Sequence, residues 1–471
     1  MLRQRDRHNE GDRSESQHDH PEVTVRTSFL ACIASLLCLL PASPALARFG
    51  DLDPTFGNGG IALYPLSENG ACIAEGHAVA VHPDGHIWVV GDTRTGPNDA
   101  QVDAAFLKLD SLGAIVAEDF GYEGSQLRAI AINAATGAIF IAGNQGNAVT
   151  VRALNSDGSF DTGWGTNGVT VIAVGDDFGH QTTVNDMQID VGGSLYLAGQ
   201  YNGSGTAQAM LAYLNPGGAL QSAEQVTSNS FDVVPTSLVI VPQGQKLLFS
   251  GYENGACTNQ EFDVTFSSGF HFTRDGSYSS PDYVFSGTSG CFIDTSAPLT
   301  NDGRLIEAGR ILNGDGSWTA FARGVSSDGA LNGVATVFDM SPWGENSPRK
   351  VLPLQEGDLD PRESVLAGFT GVDDTGSPGA WAGSIDNNGA IEGDFGDGGT
   401  TLINFDPEDH ASGKVFGAAF DAHHRTILVG TYDTGVSDAS GNDCTDIFVA
   451  RLQSPLLDDF IFVDGFDGFD G

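Results

Sequence analysis

Short runs of alternating apolar and polar residues recur along the chain, each pair of runs meeting at a turn and ending in glycine. The most regular are AVAVHPDGHIWVVG (78–91), AIAINAATGAIFIAG (129–143), MQIDVGGSLYLAG (187–199) and LVIVPQGQKLLFSG (238–251). Alternation at period two marks half-buried strands, and Asp-Gly or Gly-Gly between the halves marks a hairpin. Fainter copies are APLTNDGRLIEAG (297–309), LQEGDLDPRESVLAG (354–368) and GAAFDAHHRTILVG (417–430). The seven copies close on Gly91, Gly143, Gly199, Gly251, Gly309, Gly368 and Gly430, spaced 52 to 62 residues apart. Each continues into a second pair of runs, as in AAFLKLDSLGAIV (104–116), VTVRALNSDGSF (149–160), AFARGVSSDGAL (320–331) and AWAGSIDNNGAI (380–391). Four short strands cannot bury a face without neighbours. The pattern therefore predicts an all-β fold, a seven-bladed β-propeller built from repeats of 52–62 residues. A β-solenoid would also explain the period, but its open ends need caps, and no segment resembles one.

One repeat is split. GDLDPTFGNGG (50–60) matches GSFDTGWGTNG (158–168) without a gap, placing Gly50, Asp53, Gly57 and Gly60 on Gly158, Asp161, Gly165 and Gly168, and Phe56 on Trp164. The later copy follows a complete strand, whereas the earlier one follows only an apolar leader. DIFVARLQSP (446–455) stops where such a segment should begin. GGIALYPL (59–66) then reads as the missing fourth strand of the last blade, and residues 49–66 as a latch that closes the ring.

The cysteines agree with this reading. Cys32 and Cys38 leave with the leader, and Cys72, Cys257, Cys291 and Cys444 remain. An even number in an exported chain suggests two disulfides. Cys257 and Cys444 occupy matching places before a third strand, and Cys291 and Cys72 precede first hairpins. Pairing Cys257 with Cys291 links copies four and five; by the same geometry Cys444 pairs with Cys72, linking copy seven to copy one. Four free thiols are the alternative.

LDPTFGNGG, the AVxxxxDGxIxxxG pattern and FVARL together resemble the delta-60 repeat family of bacterial exported proteins. The likeness covers about 49–455 and is weakest in copies four to six. It implies a propeller-like repeat fold and no particular reaction.

Composition narrows where the protein works. Lys and Arg total 21 against 61 Asp and Glu, a net charge of −40. Such a surface repels phosphate backbones, which disfavours nucleic acid as a partner, and serves solubility or tolerance of salt. Ser28–Leu40 is apolar, follows Arg26 and precedes PASPALA, so residues 1–47 read as a signal peptide cut at Ala47|Arg48. Its 13 residues are too few to span a bilayer about 30 Å thick. Residues 1–22 are polar and long for the leading part of a signal, and a start at the codons read as Val23 or Val25 is the alternative. Residues 48–455 form the propeller, expected as a monomer without a transmembrane segment, in the periplasm, at the cell surface or outside a bacterium. The acidic tail, 456–471, is similar in IFVDGF to endings of exported proteobacterial proteins and reads either as a sorting tag or as unstructured chain.

Chemistry is sparse by comparison. No hydrolase triad order, HExxH, paired CxxC or phosphate loop stands out. His77 and His180 each follow Gly where a copy begins, and His410 is near a third such place. Three converging imidazoles could bind zinc, although solvated polar positions explain them as well. DFGDGG (394–399) and NSDGSFD (155–161) offer oxygen ligands to calcium but lack EF-hand spacing and are also ordinary turns. No cofactor is expected, with calcium as a loop-stabilising ion the alternative kept; no catalytic, cofactor-binding or metal-binding residue is assigned. His423 and His424 read as turn residues. Among the tryptophans, Trp164 replaces Phe56 in the repeat and belongs to the core, Trp318 is ambiguous, and Trp343 is the candidate for surface recognition. The expected function is a non-enzymatic exported scaffold that engages a protein or glycan partner. Alternatives are a polysaccharide hydrolase or lyase, and a purely structural surface protein.

Overall fold

The computed structural model describes residues 48–66, 71–95, 101–123, 125–173, 181–202, 207–226, 232–241, 246–253, 256–265, 271–274, 288–299, 304–338, 346–354, 363–370, 379–405, 412–437 and 443–454. The chain divides into Met1–Leu46 and Ala47–Gly471, and all described residues belong to the second unit. The predicted signal peptide, the acidic tail, Trp343, His180 and His410 lie outside the described residues.

Every regular element among the described residues is a β-strand. After β1 (Ile61–Tyr64), strands β2 (Ala71–Val81), β3 (Ile87–Thr95), β4 (Gln101–Leu109) and β5 (Ile115–Glu123) form an antiparallel meander. The same order recurs in β6 (Ser125–Ile132), β7 (Ile139–Gln145), β8 (Ala148–Leu154) and β9 (Val169–Ile172). A third such sheet holds β10 (Gln181–Ile189), β11 (Leu195–Asn202), β12 (Ala207–Leu214) and β13 (Leu220–Val226). Next come β14 (Val233–Val241), β15 (Lys246–Glu253), β16 (Ala256–Thr265) and β17 (His271–Arg274). They are followed by β18 (Thr288–Pro298), β19 (Leu305–Asn313), β20 (Trp318–Val325) and β21 (Leu331–Phe338). The sixth set is β22 (Asn346–Pro353), β23 (Glu363–Thr370), β24 (Gly379–Asp386) and β25 (Thr400–Ile403). Last are β26 (Gly413–Phe420), β27 (Thr426–Ser437) and β28 (Asp443–Leu452), whose fourth partner is β1. In that pairing Ile61 stands opposite Ala450 and Tyr64 opposite Ile447. A single parallel bridge, Ile73 to Thr445, joins β2 to β28, so this set and β2–β5 make one eight-stranded sheet.

The first strands lie side by side: β2 with β6, β6 with β10, β10 with β14, β14 with β18, β18 with β22, β22 with β26, and β26 with β2. Apolar clusters fill the spaces between consecutive sheets. Val149 and Val151 of one, for example, pack with Leu197, Met210 and Ala212 of the next. Burial of such alternating faces is the main favourable term in the fold.

The closing glycines have a common cause. In all seven first strands the pairing register slips by one residue, at His77, Arg128, Asn185, Thr236, Asp294, Arg349 and Phe416. Each slip is a β-bulge, which leaves one residue unpaired and re-aims its side chain. It also drives a carbonyl towards the second strand. A Cβ built on any of the seven glycines would lie 1.8–2.2 Å from the oxygen of the residue two before the bulge, such as Glu75 for Gly91 or Thr183 for Gly199. Only glycine fits there.

The sequence reading needs three corrections. The sixth copy's first strand is β22, upstream of 354–368; Pro348 and Pro353 hid it, yet Pro348 sits beside the bulge, where a missing N–H is tolerated. The cysteines lie inside strands β2, β16, β18 and β28 rather than ahead of them, because those strands extend further than the alternation suggests. Finally, the position on β10 equivalent to His77 is Asn185, so His77 and His180 do not share a repeat position.

Residues 50–60 fold as their counterparts at 158–168 do. Phe56 N bonds Asp53 O at 3.0 Å and Gly60 N bonds Phe56 O at 2.8 Å; Trp164 N to Asp161 O and Gly168 N to Trp164 O measure 3.1 and 2.8 Å. DFGDGG is a third copy of this turn, with Gly399 N bonded to Phe395 O at 2.8 Å. Each copy hooks onto a neighbouring turn. Gly57 N reaches Leu112 O, Gly165 N reaches Gly217 O, and Gly396 N reaches Phe49 O, at 2.9, 2.9 and 2.7 Å. Asp53 and Arg451, both buried, lock the N-terminal copy against β28 through Oδ2 and Nε at 2.7 Å. Arg451 also donates to Thr55 Oγ1 and Ser111 O and lies over the Phe56 ring. Burial alone would raise the Asp53 carboxyl, but hydrogen bonds from Thr55 and the charges of Arg451 and Arg425 outweigh it and hold it low. Two disulfides, Cys72–Cys444 and Cys257–Cys291, span 372 and 34 residues.

Two stability measurements follow from this packing. Gly199→Ala should destabilise by about 1–3 kcal/mol through overpacking. Gly393→Ala, with no atom within 4 Å of the added carbon, should stay near wild type in the same urea titration. Arg451→Met should lower stability by about 3–5 kcal/mol because it strands a buried carboxylate. Adding Asp53→Asn should recover part of that loss, and strict additivity of the two changes would contradict a coupled pair.

Candidate ligand-binding cavity

The bulges determine what the first strands present. Their side chains at His77, Arg128, Asn185, Thr236, Asp294, Arg349 and Phe416 all line one cavity of about 890 Å³, bounded by strands β2, β6, β10, β14, β18, β22 and β26. A backbone feature shared by all seven copies thus carries seven side chains of which only the arginines repeat. Below this ring the wall is mostly apolar, with Ala80, Ala131, Val239 and Leu352 among its residues.

On one side of the ring the charges balance. His77 Nε2 is 2.5 Å from Asp92 Oδ1, and Arg128 Nη1 is 3.1 Å from His77 Nδ1. A guanidinium only donates, so Nδ1 is an acceptor and the proton sits on Nε2, directed at Asp92. Arg94 completes the group with Nε 3.3 Å from Asp92 Oδ2 and Nη2 3.0 Å from Glu75 Oε2. Burial is the largest influence on His77 and lowers its pKa; the Arg128 charge adds to this, while Asp92 and Glu75 oppose it. Burial would raise the Asp92 carboxyl, yet its bond to His77 and the Arg128 and Arg94 charges keep it below the ordinary value.

On the other side they do not balance. Arg310 holds Asp294 in a two-pronged bond, Nε to Oδ2 at 2.8 Å and Nη2 to Oδ1 at 3.1 Å. Arg349 reaches the same carboxylate only at 3.9 Å. Its guanidinium instead lies over Phe369, 5.1 Å from the ring centre, and Lys414 Nζ approaches that ring at 5.6 Å. Burial lowers the Arg349 pKa most, with Asp294 opposing and Arg310 adding to the shift. Between these two sides, Asn185 Nδ2 donates to Pro235 O at 2.7 Å and Thr236 Oγ1 to Ile293 O at 2.6 Å. Phe416 is the one apolar member, 5.7 Å from the His77 ring and 6.1 Å from Phe369.

Glu75, His77 and Asp92 place one potential metal-binding atom each within 4.8 Å of one another. The donor types suit a transition metal, but all three side chains are already engaged, Glu75 and Asp92 by Arg94 and His77 by Arg128 and Asp92. The cluster is therefore built as an ion-pair network rather than as a cation cage. Of the three histidines considered for zinc, only His77 is among the described residues. In the two acidic turns considered for calcium, Asp157 Oδ1 receives Ser159 N and Oγ, Asp161 Oδ1 receives Gly163 N, and Asp397 belongs to the third latch turn. Trp164 is buried against Phe140, and Trp318 stacks under Arg310 at 5.1 Å. Sequence reasoning missed Arg128, Asp294, Arg349 and Phe416 as cavity residues. A usable signal exists: ring residues lie 14 or 15 positions before the closing glycine in six copies, and 19 before it in the sixth.

No family model matches the chain, and no curated protein matches it. Among solved structures it is similar to the polysaccharide lyase Uly1, with a TM-score of 0.44 and 11% identity over 80% of this chain and 90% of that one. It is also similar to a protein from Lactobacillus plantarum, with a TM-score of 0.43 and 15% identity over 70% of this chain and 88% of that one.

The His77 group gives a pH dependence. Its folded pKa lies below the ordinary 6.5, so the unfolded chain takes up the extra proton first. Stability from this group is complete above 6.5 and is lost as pH falls from there towards the folded value. Melting temperatures at about pH 7.5 and about pH 5.5 should therefore fall further in wild type than in His77→Gln. Equal slopes would remove His77 as their cause.

Proposed function

We propose that this protein is an exported seven-bladed β-propeller of the delta-60 repeat kind, closed by its N-terminal strand, that binds a protein or glycan partner through its central cavity without catalysing a reaction. Support for the ring comes from β1 on β28, from β26 beside β2, and from a disulfide tying residue 72 to residue 444. Each of these joins the two ends of the chain. Export fits the two disulfides, which persist in oxidising compartments. Among the described residues no helix is long and apolar enough to cross a membrane.

The observation that carries the binding reading is the ring of bulge residues. A purely structural repeat would have no reason to place His77, Arg128, Asp294, Arg349 and Phe416 at one equivalent position facing one cavity. A cavity of about 890 Å³ with a few convergent polar groups has the size and character of a ligand site. A second reading, a polysaccharide hydrolase or lyase, draws on the His77–Asp92 pair. There Asp92 would orient an imidazole base, as in other His-carboxylate dyads. Arg128 already occupies His77 Nδ1, so that base would be free only if Arg128 moved.

Glycan-array screening of the chain from residue 48 tests the binding reading. A ligand recognised by wild type should be lost in Ala80→Phe, which fills the cavity, and kept in Leu402→Trp, on the exposed outer strand β25. Circular dichroism would show that both variants fold. Binding that survives Ala80→Phe would place recognition elsewhere.

A further inference from the structure

The cavity's charge is lopsided. On the β2–β6 side, Arg94 and Arg128 face Glu75 and Asp92, with His77 neutral between them. On the β22–β26 side, the carboxylate that faces Arg349 among the described residues, Asp294, is already bonded by both prongs of Arg310. Arg349 Nε is buried and has no hydrogen-bond partner. Among the described residues, neither Lys414 nor the wall residue Lys350 has a carboxylate partner. In a chain of net charge −40 with 61 acidic side chains, Arg349 and Lys350 thus line the cavity with Lys414 close to Arg349 across Phe369, and among the described residues the only carboxylate paired with any of the three is Asp294, 3.9 Å from Arg349.

Leaving buried donors unpaired is unfavourable unless a ligand satisfies them. An arginine matches a carboxylate in two-pronged geometry. The neighbouring surface is aromatic. Phe416 projects into the cavity beside Phe369, over which Arg349 and Lys414 both lie. Carboxylates next to flat C–H faces are what an acidic sugar chain presents.

Resting on the reading of this cavity as a ligand site, we propose that its ligand is a uronate-bearing glycan, one carboxylate of which is held by Arg349 with Lys350 and Lys414 close by, and one sugar ring of which lies on Phe416. Arg349 is a binding residue here, with no part in bond making. Asp294 and Arg310 serve as positioning residues, since their two-pronged bond holds Asp294 towards Arg310 and leaves it 3.9 Å from Arg349.

Titration calorimetry with oligogalacturonate, a neutral malto-oligosaccharide of equal length and inorganic phosphate tests this. Oligogalacturonate should bind, and Arg349→Gln should weaken it by about tenfold or more, the range for a charge-assisted bond. Lys414→Gln, a milder change at the rim, should weaken it less. Arg349→Gln leaves the Asp294–Arg310 pair in place, and an unchanged melting temperature would confirm that it folds. The neutral oligosaccharide should not compete. Uronate binding unaffected by Arg349→Gln would overturn the proposal, as would binding of phosphate alone, or of neither anion. If instead the neutral sugar binds and only Ala80→Phe abolishes it, the cavity reading stands and the uronate assignment falls.

Discussion

Seven times in this chain a carbonyl oxygen points at a glycine where no other residue would fit. The added carbon would come within 1.8–2.2 Å of that oxygen, closer than any side chain tolerates. The same slip that aims the carbonyl leaves one residue of the first strand unpaired and turns it towards the cavity. Architecture and candidate site therefore share one cause. The glycine permits the bulge, the bulge exposes a side chain, and the side chain is free to vary because no strand pairing depends on it. Drift at the ring positions is inexpensive, while drift at the glycines is not.

A second constraint joins the ends of the chain. Asp53 and Arg451 lie 398 residues apart and meet with both side chains buried. A buried ion pair contributes little net stability against an apolar substitute, but breaking it is costly. It therefore works better as a register device than as a source of stability. With Thr55, Ser111 and Phe56 also engaged by Arg451, one guanidinium reads the position of the N-terminal segment and of the β4–β5 turn together. The disulfide between Cys72 and Cys444 closes the longest loop available to these cysteines, and long loops gain most from a crosslink in the chain-entropy account.

Much of this could be read from residues alone, for physical reasons that differ by element. The turn at 50–60 was legible because its glycines and its aromatic are sterically tied, so that 50–60 and 158–168 are alike. Its third copy was not: with Glu392 in place of the aspartate and two further Asp among its glycines, DFGDGG looked like a cation loop. Strand β22 was hidden by Pro348 and Pro353, residues that normally argue against a strand; here the first sits beside the bulge and the second ends the strand. The closing glycines were visible as punctuation, but the bulge opposite each was not, because a register slip leaves no mark in an alternating pattern. The candidate site was missed for that reason. Its members, histidine, arginines, asparagine, threonine, aspartate and phenylalanine, have no chemistry in common, only an offset from a glycine.

The cationic patch must also be reconciled with the net charge of −40, which was reason to disfavour nucleic acid as a partner. The two statements concern different distances. At ordinary ionic strength, fields from exposed charges fade over about 8 Å, so the acidic exterior slows approach more than it alters binding inside the cavity. Within the cavity, screening is weaker and a guanidinium with only a distant carboxylate, such as Arg349, counts for more. A densely charged backbone such as a nucleic acid meets repulsion along its whole length. A sugar chain with spaced carboxylates meets it at fewer points and can still offer one carboxylate and one ring face to Arg349 and Phe416. On this argument the acidic exterior is part of the selectivity, since it admits sparsely charged anions to a site that dense ones could also satisfy.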